Sequence, residues 1–400
     1  MNASKVFPQG RHALLTIGLC FLVALLEGLD LQAPGIAGPG MAQAFALDKL
    51  QMGWVFSAGI VGLLPGAFIG GWLADRVGRK RVLIGSVALF GVFSLATAHA
   101  WDLHSLSAAR FLTGTGLGAA LPNLIALTSE AAGARLRASA VSLMYCGVPL
   151  GAALAAGIGI AGYAAHWQLV FEIGGLLPLL ILPLLMHYLP ESTEFRGAAR
   201  SGEAGDLRQA LFGQGATWLL WLSYFFTLMV VYILINWLPS LLVGQGFSSR
   251  DASWVMFALQ IGAALGTLAL GVLMERLPAW ATAALIYLGI LAALAGLGLA
   301  SDLRGMLAAG FVAGFFATGG QGVLYALAPW FYPARVRATG VGAAVAVGRL
   351  GAMSGPLVAG QMLALGTGSA GVLLASAPGI VVAALALFRL SRRRPAQLPD

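Results

Sequence analysis

Four ionisable residues stand in stretches that are otherwise apolar: Glu27, Asp30, Arg110 and Arg349. Charges at membrane depth are expensive and mark paths for protons, ions or charged substrates. Glu27-Gly28-Leu29-Asp30 spaces two carboxylates i,i+3, which puts both on one face of a helix. Burial disfavours the charged form of a carboxylate, and a nearby arginine favours it. A carboxylate that passes between those settings takes up and releases a proton, and Glu27 and Asp30 beside Arg110 fit that chemistry. Arg349 is of another kind. Glu275 and Asp302 fall in loops and Asp251 at a span end, so no acidic residue of the second half shares its depth. A planar guanidinium can hold a carboxylate by two hydrogen bonds, which makes Arg349 a receptor for an anion facing a central cavity. The alternative is a structural arginine satisfied by backbone carbonyls. Asn236, Gln321 and Tyr325 are polar residues deep enough to join it as substrate-binding candidates, as are Asn123 and Gln260. Tyr224, Phe225, Phe226, Tyr232 and Trp237 could stack on a substrate ring or simply pack against lipid and neighbouring helices.

Those residues need elements to position them. The chain has 400 residues, 59% hydrophobic and 10% charged, with a mean hydropathy of +0.87. Soluble domains carry about 25% charged residues, so a water-soluble globular enzyme is excluded. Twelve apolar stretches are long enough to span a bilayer: 13–36, 53–74, 82–100, 105–129, 138–162, 168–189, 216–243, 252–274, 279–300, 303–328, 339–362 and 368–390. The fold class is an all-α membrane protein. Asp30 lies about 9 Å from the outer end of its span, and Arg110 about 7–8 Å below the outer end of the fourth. They share a depth, and a pairing of Arg110 with the acidic face would offset the desolvation of each charge. Arg349 lies about 15 Å from the opposite end of its span, in mid-membrane.

Residues 190–215 form the longest polar stretch and divide the chain into a bundle over 1–189, a linker, and a bundle over 216–400. Of the 23 Lys and Arg, 18 fall on one side and three, Lys49, Arg250 and Arg304, on the other; Arg110 and Arg349 remain inside spans. The positive-inside rule puts the 18-residue side in the cytoplasm with both termini. The expected place is the inner membrane of a bacterium, as a monomer in lipid. The basic charge encodes orientation and implies no nucleic-acid partner. Cys20 and Cys146 read as buried free thiols.

No His-Glu-x-x-His, Gly-x-Ser-x-Gly or metal-site spacing occurs, which argues against an enzyme. No lysine sits in a phosphate-binding glycine loop. No cofactor is expected, and a gradient of protons is the expected energy source, with sodium as the alternative ion.

The halves resemble each other at an offset of 200 residues. Gly71-Trp72-Leu73-Ala74-Asp75-Arg76 matches Gly271-Val272-Leu273-Met274-Glu275-Arg276, and Ala134-Arg135-Leu136-Arg137-Ala138 matches Ala334-Arg335-Val336-Arg337-Ala338. In a chain so poor in charge, charged coincidences are informative. Six spans followed by six in the same orientation make a parallel pseudo-repeat.

Gly71-Trp72-Leu73-Ala74-Asp75-Arg76-Val77-Gly78-Arg79-Lys80-Arg81 resembles the signature loop between the second and third spans of the major facilitator superfamily. Glu27-Gly28-Leu29-Asp30-Leu31, Arg135-Leu136-Arg137-Ala138 and Gly348-Arg349-Leu350-Gly351-Ala352-Met353-Ser354-Gly355-Pro356 resemble, within it, the aromatic acid/proton symporters. The resemblance runs along almost the whole chain and implies the major facilitator fold, two six-helix bundles working by alternating access. It implies import of an aromatic carboxylate, an aryl propionate, together with protons. Asp75, Arg76 and Arg79 would belong to a gate in a tight turn at Gly78, and Glu130, beside Arg135 and Arg137, to a structural ion pair or the same gate. One departure is that the family commonly has Asp-Gly-x-Asp where this chain has Glu27; the charge is kept and the reach is longer. The rival readings are an importer of another organic anion and a proton-coupled drug exporter of the same fold. Gly147-Val148-Pro149 lacks the adjacent Gly-Pro pair frequent in exporters, which favours symport.

Overall fold

The computed structural model describes residues 9–161, 166–191, 215–327 and 337–391, with side chains described for these except at 9–12, 75, 133–139, 142, 215–216, 275, 279, 323, 325–327, 337–342 and 391. The described residues are helices and short turns, with no strand among them. In order these are α1 (Gln9–Ala44), α2 (Lys49–Val77), α3 (Arg79–Ala98), α4 (Leu103–Tyr145), α5 (Gly147–Ile160), α6 (Gln168–Tyr188), α7 (Gly215–Gly244), α8 (Ser249–Arg276), α9 (Ala279–Leu299) and α10 (Leu303–Ala313). A π-helical turn, Gly314–Thr318, joins α10 to α11 (Gly319–Leu327); α12 (Arg337–Ala364), α13 (Gly368–Ala375) and α14 (Ala377–Ser391) follow. Twelve stretches of these helices are long and apolar enough to cross a membrane, as the hydropathy predicts.

Some elements differ from the expected bounds for identifiable reasons. α2 starts at Lys49, outside its apolar stretch, because Asp48 and Gln51 cap each other's backbone N–H groups, at 2.7 and 2.9 Å. Ser248 and Asp251 do the same for α8, 200 residues later. The helical backbone of α4 continues past its span, Leu103–Ala132, into the next one, and the break comes at Cys146. Pro149 has no N–H to give the carbonyl of Tyr145, so the i→i−4 ladder restarts there. Pro378 relates in the same way to the break at Ser376 between α13 and α14.

By contact the chain forms two groups. One comprises Met1–Ala37, Ala58–Ala155 and His166–Ser201; the other comprises Gly38–Ser57, Ala156–Ala165 and Gly202–Asp400. Of the stretch 190–215, only Pro190, Glu191 and Gly215 lie among the described residues.

Glycine sets the helix spacing within each group. A Cβ on Gly62 or Gly66 of α2 would run into the carbonyls of Phe111 or Thr115 on α4, and one on Gly114 into that of Gly59. The same contacts recur at the 200-residue offset: Gly262 with Phe311, Gly266 with Phe315, Gly314 with Leu259. Gly151 of α5 meets the Leu25 carbonyl of α1, and Gly351 of α12 that of Phe225 on α7. The repeat read from charges is thus also a repeat of backbone contacts. Such small-residue contacts let membrane helices approach closely where no hydrophobic force drives them together.

In the second group, Phe56 and Trp237 meet edge to face with centroids 5.2 Å apart. Trp237 donates through Nε1 to the Pro356 carbonyl at 2.9 Å, and Ser57 through Oγ to that of Met353 at 2.8 Å.

Candidate functional site

Three polar clusters fall on positions the sequence singles out. The first joins α1 to α4. Arg110 donates from Nη1 to Asp30 Oδ1 at 2.8 Å, with both side chains almost fully buried. The pairing expected from shared depth is therefore present. Glu27, one turn earlier on α1, is buried at 3% exposure. The pair is held among small and aromatic groups. Gly59 and Gly174 lie beside it: a Cβ on either would be in ordinary contact with Arg110 Nη2, at 3.4 Å, or with Asp30 Oδ2, at 3.6 Å. The Phe171 ring lies under the guanidinium, 5.4 Å from centroid to Cζ. Among the described residues, Asp30 Oδ2 and Arg110 Nε have no hydrogen-bond partner. The pair thus keeps an acceptor and a donor in reserve.

The second cluster is the turn after α2. Gly78 has φ +102°, the positive region that glycine adopts without strain, in line with the tight turn expected there. Arg79 forms an ion pair with Glu130 near the end of the α4 span. Arg76 instead stacks over Trp72 one turn earlier, at 3.9 Å. Arg135 and Arg137, expected beside Glu130, and Asp75 lie outside the described side chains. A residue the sequence did not single out for this turn is Glu191. Its carboxylate accepts from the Lys80 backbone N–H at 3.0 Å, while Lys80 Nζ donates to the Met186 carbonyl at 2.7 Å. Gly78 supplies no side-chain cap to α3, and Glu191 fills that role from 111 residues away.

The third cluster joins α7 to α12. Arg349 is half-buried and donates from Nη1 to the hydroxyl of Tyr232 at 2.8 Å. Tyr232 is one of seven aromatics on α7, and nothing in the sequence pattern ranks it as the partner. Asn236 is buried one turn on and donates one of its two Nδ2 hydrogens to the Tyr232 carbonyl at 2.9 Å. Gln321 is 8% exposed on α11, just beyond the π-helical turn. Such turns are rare and frequent at functional sites. Tyr325 lies outside the described side chains. Tyr224 is structural, donating to the Leu324 carbonyl at 2.9 Å and so tying α7 to α11. Among the described residues no group of three His, Cys, Asp or Glu is placed to hold a metal ion.

Comparison with known proteins bears on what these clusters serve. A family model described as the Major Facilitator Superfamily matches residues 20–306. The chain is 69% identical over 397 residues to the 3-(3-hydroxy-phenyl)propionate transporter of Escherichia coli strain K12, covering 98% of each chain. It is 37% identical over 395 residues to a gallate transporter of Pseudomonas putida, covering 90% of this chain and 88% of that one. Among solved structures, a mutant of the nucleoside transporter NupG matches with a TM-score of 0.80 at 17% identity, over 95% of this chain and 99% of that one. That last likeness is one of fold.

Proposed function

This chain belongs to the Major Facilitator Superfamily, and on that premise we propose that it imports an aromatic carboxylate in symport with protons, by alternating access. The substrate we assign is 3-(3-hydroxyphenyl)propionate or a close aryl propionate. The observation that carries this reading is the 69% identity, over 98% of both chains, to a relative named for that compound. The chemistry of the clusters is consistent with it. Arg349 offers the carboxylate a cation at mid-span, and it donates a hydrogen bond to the Tyr232 hydroxyl. Asn236, Gln321 and Tyr325 supply polar contacts to the rest of the substrate. Glu27, Asp30 and Arg110 carry the proton: protonation of the acidic face loosens its hold on Arg110, and deprotonation restores it. Asp75, Arg76, Arg79, Glu130, Arg135 and Arg137 form the gate on the basic side, which we place in the cytoplasm with both termini. The protein resides in a bacterial inner membrane and works as a monomer without a cofactor.

Uptake of labelled 3-(3-hydroxyphenyl)propionate into proteoliposomes, with and without an inward proton gradient, tests the proposal. Gradient-dependent accumulation competed by other aryl propionates is the expected result. Absence of uptake by folded protein would overturn the substrate, and uptake indifferent to the proton gradient would overturn the coupling.

A further inference from the structure

We infer that Trp72 and Arg76 form a binding site for the headgroup of an anionic phospholipid, in the leaflet on the basic side of the membrane, with the exposed face of α2 seating an acyl chain. The site is separate from the transport proposed above and does not depend on the identity of the substrate.

The four cations around the turn after α2 are used in different ways. Arg79 is paired with Glu130, and Lys80 Nζ donates to the Met186 carbonyl. Arg76 and Arg81 are exposed and make no hydrogen bond or ion pair among the described residues. Of these two, Arg76 has an aromatic ring beneath it: its guanidinium carbon stands 3.9 Å from the centroid of Trp72. Such stacking holds a guanidinium in place while leaving its edge and its N–H groups open. Trp72 is itself 49% exposed, and its indole N–H has no partner among the described residues.

Depth and chemistry together select the occupant. The apolar span of α2 ends at Ala74, so Trp72 lies about 3 Å inside that end and Arg76 about 3 Å beyond it. That is headgroup level, where tryptophan is enriched and where arginine keeps its charge in the polar layer. Phe68, 78% exposed, lies one turn deeper on the same face, beside the exposed Ile69. The face is therefore apolar toward mid-membrane and cationic at its edge, which is the polarity of a phospholipid. Guanidinium and indole are both donors with no acceptor, so the group they fit offers acceptors only. A phosphodiester does so and carries the opposite charge. A choline headgroup has the same phosphate but adds a cation that Arg76 would repel.

The second half supplies a control. At the 200-residue offset Arg76 corresponds to Arg276 and Trp72 to Val272. Val272 and Arg276 are exposed as well, yet no ring lies beneath that cation among the described residues. General attraction of anionic lipid to basic residues would treat the two arginines alike, whereas a built site distinguishes them.

The test is native mass spectrometry of purified full-length protein in detergent, titrated with dioleoylphosphatidylglycerol or dioleoylphosphatidylcholine. The proteins are wild type, Trp72→Val, Trp72→Phe, Arg76→Gln and Arg276→Gln. Wild type should bind the first phosphatidylglycerol more tightly than phosphatidylcholine. Loss of the guanidinium in Arg76→Gln should weaken that first site about tenfold. Loss of the stack in Trp72→Val should weaken it about two- to fivefold, and Trp72→Phe, which keeps a ring, should lose less. Arg276→Gln should stay within about twofold of wild type. Equal losses in Arg76→Gln and Arg276→Gln would reduce the effect to general charge attraction and overturn the site. No loss in Trp72→Val, or equal binding of the two lipids by wild type, would overturn it as well. Each of these results leaves the proposed transport untouched.

Discussion

Asp30 and Arg110 are the residues on which coupling and stability meet. If Asp30 carries the proton, Asp30→Asn should abolish gradient-driven accumulation of labelled substrate while substrate-for-substrate exchange across the same vesicles continues. Accumulation at the wild-type level would remove Asp30 from the coupling step. Arg110→Gln should behave differently, because it leaves the Asp30 carboxylate buried without its cation. Breaking a buried ion pair from one side costs about 3–5 kcal/mol, and the folded yield after mild heating should fall accordingly. The double variant Asp30→Asn/Arg110→Gln removes both charges, so it should regain folded protein relative to Arg110→Gln alone while remaining unable to accumulate substrate. A double variant no more stable than the single one would show that the pair does not act as a charge-compensated unit. These residues could be found by reading because charge is so scarce in the spans that depth alone nominates a partner. Tyr232 could not be found that way. Which way a hydroxyl points around a helix is set by how α7 rotates against α12, and the run Tyr224 to Trp237 offers several aromatics with no charge to break the tie.

Helices in this protein are spaced by what their glycines lack. Gly151→Leu places side-chain atoms on the Leu25 carbonyl of α1, a backbone atom that cannot step aside, and should greatly lower the yield of folded protein on size exclusion. Gly157→Leu on the same helix has nothing within 4 Å to meet and should leave the yield unchanged. Equal behaviour of the two variants would refute close packing of α1 on α5. At the start of α3 the expected effect is smaller. Glu191→Ala removes the acceptor for the Lys80 N–H, and loss of such a cap costs about 1 kcal/mol. A drop of a few degrees in the thermal midpoint, with substrate affinity unchanged, is the expected outcome; an unchanged midpoint would mean the cap contributes nothing. The existence and order of the elements were legible because twelve apolar runs leave little choice. Their ends were less so: Asp48 and Gln51 extend α2 beyond its apolar stretch, which hydropathy does not register. Gly314-Phe315-Phe316-Ala317-Thr318 carries no sign of a π-helical turn, and Glu191 caps a helix far away in sequence. Both depend on contacts between elements, which local patterns do not encode.

For the molecule as a whole, an even number of spans requires both ends of the chain to emerge on one side. The orientation proposed from the bias of Lys and Arg puts that side in the cytoplasm. Tags at the two ends should therefore be equally protected from an impermeant reagent in intact cells and equally exposed after lysis; exposure of one tag alone would contradict the twelve-span count. The repeat has a historical meaning too. From Asp48 and Ser248 through to Gly151 and Gly351, contacts recur at one constant offset. That is the mark of a tandem duplication in which, between these positions, neither copy has gained or lost a residue relative to the other. Descent from one ancestor makes each copy a control for the other. Glu27, Asp30 and Arg110 stand opposite Thr227, Val230 and Gly310, and Arg349 opposite Pro149. The sister copies kept their helix contacts and differ in charge at these four pairs of sites, so restoring the sister residue at each separates what the shared scaffold needs from what one copy alone carries.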